Sequence, residues 1–244
     1  MRPLLVLWDV DYTLVATDGV GQYLYEVVLA ELYGLDLPSP LRSMAGRTDS
    51  SIALEVLTAA GVPEPEGELS RFQNRLAANA PDLLGMVREH GRVLPGAAAA
   101  IAALAGLGNH DGGQPVIQSL LTGNIPALAK VKLGALGLTK HLDLSIGAYG
   151  DVSQVRADLV PVARQNAAWR YGADFSGTAT VLIGDTPKDI EAAAIAGAGS
   201  VGVATGSFTM QQLMEAGAEV VLPDLTDTAA FISAVFKADL GERG

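Results

Sequence analysis

Three clusters of oxygen-bearing side chains each stand directly behind an apolar run, and they define the chemistry open to this chain. Asp9-Val10-Asp11 follows Leu4–Trp8, Thr122-Gly123-Asn124 follows residues 116–121, and Gly184-Asp185-Thr186-Pro187-Lys188-Asp189 follows residues 180–183. Two unpaired carboxylates at a sheet edge are costly without a cation or hydrogen-bond donors. Mg2+ suits the role, as a hard ion that takes carboxylate and water oxygens and leaves positions free for a phosphate. Asp185 and Asp189 are four apart. A helix starting near Pro187 would leave the first at a strand end and the second in the first helical turn, both facing a bound cation, although acidic residues also favour helix N-termini as caps.

The elements that must position these clusters can be read from periodicity. Short apolar runs at Leu4–Trp8 and at residues 116–121, 142–146, 181–183, 200–203 and 219–222 read as strands, mostly separated by helical patterns. That alternation predicts an α/β fold: a Rossmann-like, mostly parallel sheet with helices on both faces, whose strand ends share one crevice. Between Thr13 and Pro95 no strand is expected. Helical faces occur there instead, at Tyr25, Val28, Leu29 and Leu32, at Ile52, Val56 and Leu57, and at Leu69, Phe72 and Leu76. Glycine and proline flank the stretch at residues 17–21 and 93–96, as hinges require. The predicted organisation is an α/β core over residues 1–15 and 96–244 with an inserted all-helical cap over 16–95. Residues 97–103 read as an Ala-rich helix, 108–114 as a loop and 162–169 as a helix.

In order and context, the three clusters resemble the first, second and fourth motifs of haloacid dehalogenase (HAD) superfamily hydrolases, in the phosphoglycolate-phosphatase-like subgroup whose helical cap lies between the first two motifs. The resemblance implies a phosphomonoester hydrolase that works through an aspartyl-phosphate. Asp9 is then the nucleophile and Asp11 the general acid and base; relatives that displace halide from carbon lack the second aspartate. Asp9, the Val10 carbonyl, Asp11, Asp185 and Asp189 would bind Mg2+. Thr122, Gly123 and Asn124 would hydrogen-bond phosphoryl oxygens. The third motif normally supplies a Lys ahead of a helix. Here the positional match is Arg156, with Lys130, Lys132 and Lys140 ranked lower because they precede the strand expected at 142–146. Arg carries the same charge on a bulkier fork. In the cap, Gly46-Arg47-Thr48-Asp49 resembles the specificity loop of related caps, so Arg47 and Thr48 are expected at the substrate, although Thr48 or Asp49 could equally cap the next helix. A phosphoryl-transfer mutase of the β-phosphoglucomutase type is an alternative, disfavoured because the first hinge has glycine where such mutases carry His. A phosphonate hydrolase would need a cap Lys, and residues 16–95 contain none. A catalytically weak binding or regulatory protein on the same fold is the remaining alternative.

Composition narrows the partners. The chain has 244 residues, 49% of them hydrophobic, which is ample for one large core and a smaller unit. Its formal net charge of -11 disfavours nucleic acid and anionic membranes and leaves a small phosphorylated metabolite as the expected partner. With no cysteine, disulfides, thiol nucleophiles and thiolate metal sites are excluded, which fits a cytoplasmic protein. Asp9 and Asp11 cut the first apolar run too short for a signal-peptide core, and no run is long enough to span a bilayer. His90, His110 and His141 have no paired spacing and are expected at the surface.

Overall fold

The structure, a computed structural model, describes residues 3–39, 42–107 and 115–240. The first half of the chain runs through β1 (Leu4–Trp8), β2 (Val15–Ala16), α1 (Val20–Tyr33), α2 (Asp49–Ala59), α3 (Pro65–Asn79), α4 (Leu84–His90), β3 (Arg92–Val93) and α5 (Ala97–Leu107). The second half contributes β4 (Val116–Leu120), α6 (Pro126–Ala135), α7 (Leu159–Tyr171), β5 (Thr180–Gly184), α8 (Pro187–Ile195), β6 (Gly199–Val203), α9 (Met210–Glu215), β7 (Val220–Leu222) and α10 (Thr228–Leu240). The main sheet has the order β4-β1-β5-β6-β7 and is parallel throughout.

β1 is apolar at every position because it is an interior strand, between β4 and β5, of a sheet covered on both faces. Leu4, Val6 and Trp8 pack toward α5 and α10, whereas Leu5 and Leu7 pack toward α7 and α8. Trp8 stacks on Phe231 of α10 with ring centroids 5.3 Å apart, and its indole N–H donates to Gln118 at 3.1 Å. Within this sheet the chain passes from β1 to β4 on one side and then crosses over to β5 on the other. The strand order therefore reverses at β1, and the crevice at such a reversal is where ligands bind in open α/β sheets.

A second apolar cluster lies wholly apart from the sheet. Leu24, Tyr25 and Val28 of α1, Ile52 and Val56 of α2, and Phe72 and Leu76 of α3 fill it, matching the helical faces read from the sequence. Ile125 and Leu128 join it, so the helical layer rests on α6, immediately behind β4. Two expectations about strands are corrected. Residues 13–95 do contain strand: β2 and β3 pair antiparallel as a two-residue ribbon where the chain leaves and rejoins the sheet. Residues 142–146 are turns, although Leu142 and Ile146 are buried. Ser119 Oγ and the Gln118 carbonyl bind the Asp143 backbone, and only Leu121 and Ala148 bridge in the parallel sense. The apolar run there anchors a loop to the sheet edge. The Ala-rich helix forms as α5, and the helix expected at 162–169 begins earlier, as α7 behind a 3-10 turn over Arg156–Asp158. The loop expected at 108–114, with His110, lies outside the described residues.

Candidate active site

The chain unwinds directly after β1. Tyr12 takes a positive φ of 56°, donates its N–H to the Val15 carbonyl at 2.7 Å and turns the chain back. Asp9 lies 5% exposed, and its N–H continues the sheet to the Ile183 carbonyl at 2.9 Å. Arg156, buried in its 3-10 turn, directs Nη2 to Asp9 Oδ1 (2.8 Å), Asp189 Oδ1 (2.6 Å) and the Leu121 carbonyl (3.1 Å). Its Nε is buried with no hydrogen-bond partner among the described residues. Asp189 Oδ2 accepts the Thr186 N–H (3.0 Å) and hydroxyl (2.6 Å), closing the first turn of α8.

Carboxylate oxygens of Asp9, Asp185 and Asp189 all lie within 4.8 Å of one another. Burial, followed by the charges of Asp9 and Asp189, drives the Asp185 carboxyl strongly upward, and burial raises Asp9 against the pull of Arg156. One arginine does not balance three crowded carboxylates. Hard oxygen donors in charge excess are the donor set a divalent cation requires, so the residues present fit such an ion. Thr13 donates to Asp185 at 3.3 Å, and a Cβ on Gly206 would overlap the Asp185 carboxylate, so that position must be glycine.

Asp11 belongs to a different network. Lys132 Nζ contacts both of its oxygens at 2.7 Å and the Asn124 carbonyl oxygen at 2.8 Å; Asn124 Nδ2 donates to Asp11 (2.7 Å) and to Thr122 Oγ1 (2.9 Å). Thr17 donates a longer bond of 3.4 Å. Thr122 Oγ1 accepts from the Asn124 N–H and amide, which leaves its own proton free to donate.

The helical layer closes over these groups. The Asp49 N–H donates to the Gly123 carbonyl at 2.7 Å, while the Ser50 N–H and hydroxyl donate to the Gly150 carbonyl at 2.8 and 2.7 Å. The Asp49 carboxylate accepts the Ile125 N–H (2.7 Å) and the Tyr25 hydroxyl (2.9 Å), and burial pushes it up to about 6. Between the layers lies a cavity of about 610 Å3, reached by Asp9, Asp11, Thr122, Gly123, Asn124 and Arg156 from below and by Tyr25, Met44, Arg47 and Ile52 from above.

The structure brings Asp9, Asp185, Asp189 and Arg156 together. Other expected residues sit differently. Asp11 lies outside the three-carboxylate group, and the Val10 carbonyl accepts the N–H groups of Leu14 (3.0 Å) and Val15 (3.1 Å). Thr48 is absent from the cavity wall: its hydroxyl caps α2 by accepting the Ser51 N–H at 3.3 Å. Arg47 lines the cavity, but its guanidinium binds Ser51 and pairs with Glu55 at 2.7 Å. Asn124 reaches the cavity with its side chain already engaged by Asp11 and Lys132. Lys132, ranked low from sequence, is 3% exposed and central. Its signal was available: it falls on the α6 face of Leu128, Ala129 and Leu133, where a lysine is buried only if paired. Asp49 and Gly150 had no comparable signal, because their role arises from contact between segments distant in sequence.

Comparisons with known proteins point the same way. A family model described as HAD-hydrolase-like matches residues 155–228, the segment holding Arg156, Asp185 and Asp189. The chain is 28% identical over 249 residues to a protein of Dickeya dadantii (strain 3937) called "Probable phosphatase IndB", covering 97% of this chain and 96% of that one. Among solved structures it resembles a hydrolase from Pseudomonas syringae, with a TM-score of 0.62, 21% identity, and 95% and 98% of the two chains covered. It also resembles a haloacid dehalogenase-like family protein of Streptococcus pneumoniae, with a TM-score of 0.61, 14% identity and coverage of 94% and 98%.

Proposed function

We propose that the chain is a haloacid dehalogenase-like hydrolase, as the match over residues 155–228 supports, and that it is a Mg2+-dependent phosphomonoesterase acting on a small phosphorylated metabolite through an aspartyl-phosphate. The observation that carries this reading is Asp9 at the switch point of the sheet, paired with Arg156, ringed by Asp185 and Asp189, and lining the cavity between the layers. Asp9 attacks phosphorus, forming the new P–O bond while the bond to the leaving oxygen breaks. Asp11 gives that oxygen its proton and later takes one from the water that cleaves the acyl phosphate. Lys132 and Asn124 hold the Asp11 carboxylate in place. Arg156 offsets repulsion between the nucleophile and the incoming dianion, and its unpartnered Nε is a donor without an acceptor. Thr122 offers its free hydroxyl proton to a nonbridging oxygen. Asp9, Asp185 and Asp189 would hold the divalent ion, which supplies positive charge toward the phosphoryl group.

The residues that divide the layers support a division of labour, with a core over 1–15 and 96–244 that does the chemistry and a cap over 16–95 that excludes water and selects the substrate. The test is a panel of phosphomonoesters assayed after chelation and again with Mg2+ restored. Full activity in excess chelator would remove the metal from the mechanism, and no turnover of any ester under either condition would remove the phosphatase.

A further inference from the structure

Building on the phosphatase reading, we propose that the substrate carries one anionic group only, the phosphate that is transferred, and that the part held beneath the helical layer is uncharged or cationic. The ground for this is how the cations around the cavity are spent. Arg47, Arg92, Lys132 and Arg156 are the basic side chains lining it among the described residues, and each is already matched to a carboxylate of the protein. Arg156 and Lys132 serve Asp9, Asp189 and Asp11 at the phosphoryl end. A second anionic group would have to be met farther out, by Arg47 or Arg92.

Neither stands unpaired. Arg47 is folded back along α2, with Nε and Nη2 on Ser51 and Nη2 on Glu55 at 2.7 Å. Glu55 also carries Arg42, but that side chain is 80% exposed and its charge is screened by water. Arg92 pairs with Asp18 at 3.0 Å, and the Tyr12 hydroxyl holds the same carboxylate at 2.6 Å. Asp49 and Asp185 add further acidic groups to the wall. A substrate carboxylate or second phosphate would have to break one of these pairs and then face the displaced carboxylate. Like charges brought together in this way are how a site rejects a wrong partner. The remaining upper wall, with Tyr25, Met44 and Ile52, offers apolar surface and a phenol to a neutral group.

The experiment uses the full chain with Mg2+ and two matched pairs of esters: glycerol 1-phosphate against 2-phosphoglycolate, and fructose 6-phosphate against fructose 1,6-bisphosphate. Each is measured as a substrate and as a competitor of p-nitrophenyl phosphate hydrolysis, so that a poor substrate still reports its binding. The member with one anionic group should win each pair by about tenfold or more in kcat/KM or in inhibition constant. Glu55→Gln, which releases Arg47 without touching a catalytic group, should narrow the gap between the glycerol and glycolate esters severalfold. Equal or better recognition of 2-phosphoglycolate and the bisphosphate by the unaltered protein would overturn the inference while the phosphatase stands. Failure to hydrolyse p-nitrophenyl phosphate and all four esters would overturn the phosphatase reading itself, and the inference with it.

Discussion

In the proposed mechanism individual residues divide into those that would touch phosphorus and those that would hold the proton, and the two sets should fail differently. Asp9→Asn should abolish covalent phosphorylation with the fold retained, read by trapping labelled phosphoenzyme. Asp11→Asn should slow turnover by roughly a hundredfold or more, the low end for a positioned acid and base. Arg156→Ala should lower kcat/KM by roughly two orders of magnitude for every ester, with Arg156→Lys recovering much of the loss, because one preorganised charge beside Asp9 is removed and then restored. Lys132→Met should behave otherwise. Its contact is with Asp11, so its penalty should grow with the basicity of the leaving oxygen, large for an alkyl phosphate and small for p-nitrophenyl phosphate. A uniform penalty across leaving groups would mean that Lys132 merely supports the fold. The strand-end carboxylates were legible in the sequence because an apolar run followed by Asp is a local signal. The burial of Lys132 was legible on the α6 face, but its partner was not, because the clamp joins α6 to the loop behind β1 across more than a hundred residues.

At the scale of elements, the sheet was legible wherever burial on both faces left a continuous apolar run, as in β1 and β5. It misled at residues 142–146, where the same composition serves a loop held by Ser119 and the Gln118 carbonyl. The ribbon of β2 and β3 was invisible because two residues per strand carry no period. The start of α2 holds a second hidden feature, the buried Asp49, which accepts from Ile125 and Tyr25 and has Lys132 and Asp11 as its charged neighbours. Its carboxyl is raised from an ordinary value near 4 to about 6, so its contribution to stability is complete below the unfolded value and is lost as pH rises through about 6. Asp49→Asn should therefore be more favourable to stability at pH 8 than at pH 4, by about 2–3 kcal/mol at most from a shift of that size, over and above the pH-independent loss of one hydrogen-bond acceptor. Urea unfolding at the two pH values measures this. An equal effect at both would show that the charge is not what matters.

Across the whole molecule, the crowding of Asp9, Asp185 and Asp189 predicts that a divalent cation raises the melting temperature as well as the rate, since an ion that binds only the folded carboxylate cluster stabilises by mass action. Asp185→Asn should weaken that thermal response to Mg2+. Among the described residues no helix is long and apolar enough to cross a membrane. The two layers meet through the N–H groups of Asp49 and Ser50, which donate to the carbonyls of Gly123 and Gly150. A Cβ on Gly150 would collide with the Gly123 carbonyl, so that close approach depends on glycine. These two amide protons therefore act as a built-in stopwatch. They trade with deuterium when the layers part, and if product leaves by that parting, then under conditions where every parting leads to exchange their rate should equal the rate of product departure. If departure of product limits turnover, that exchange rate and kcat should coincide and slow together in viscous solvent.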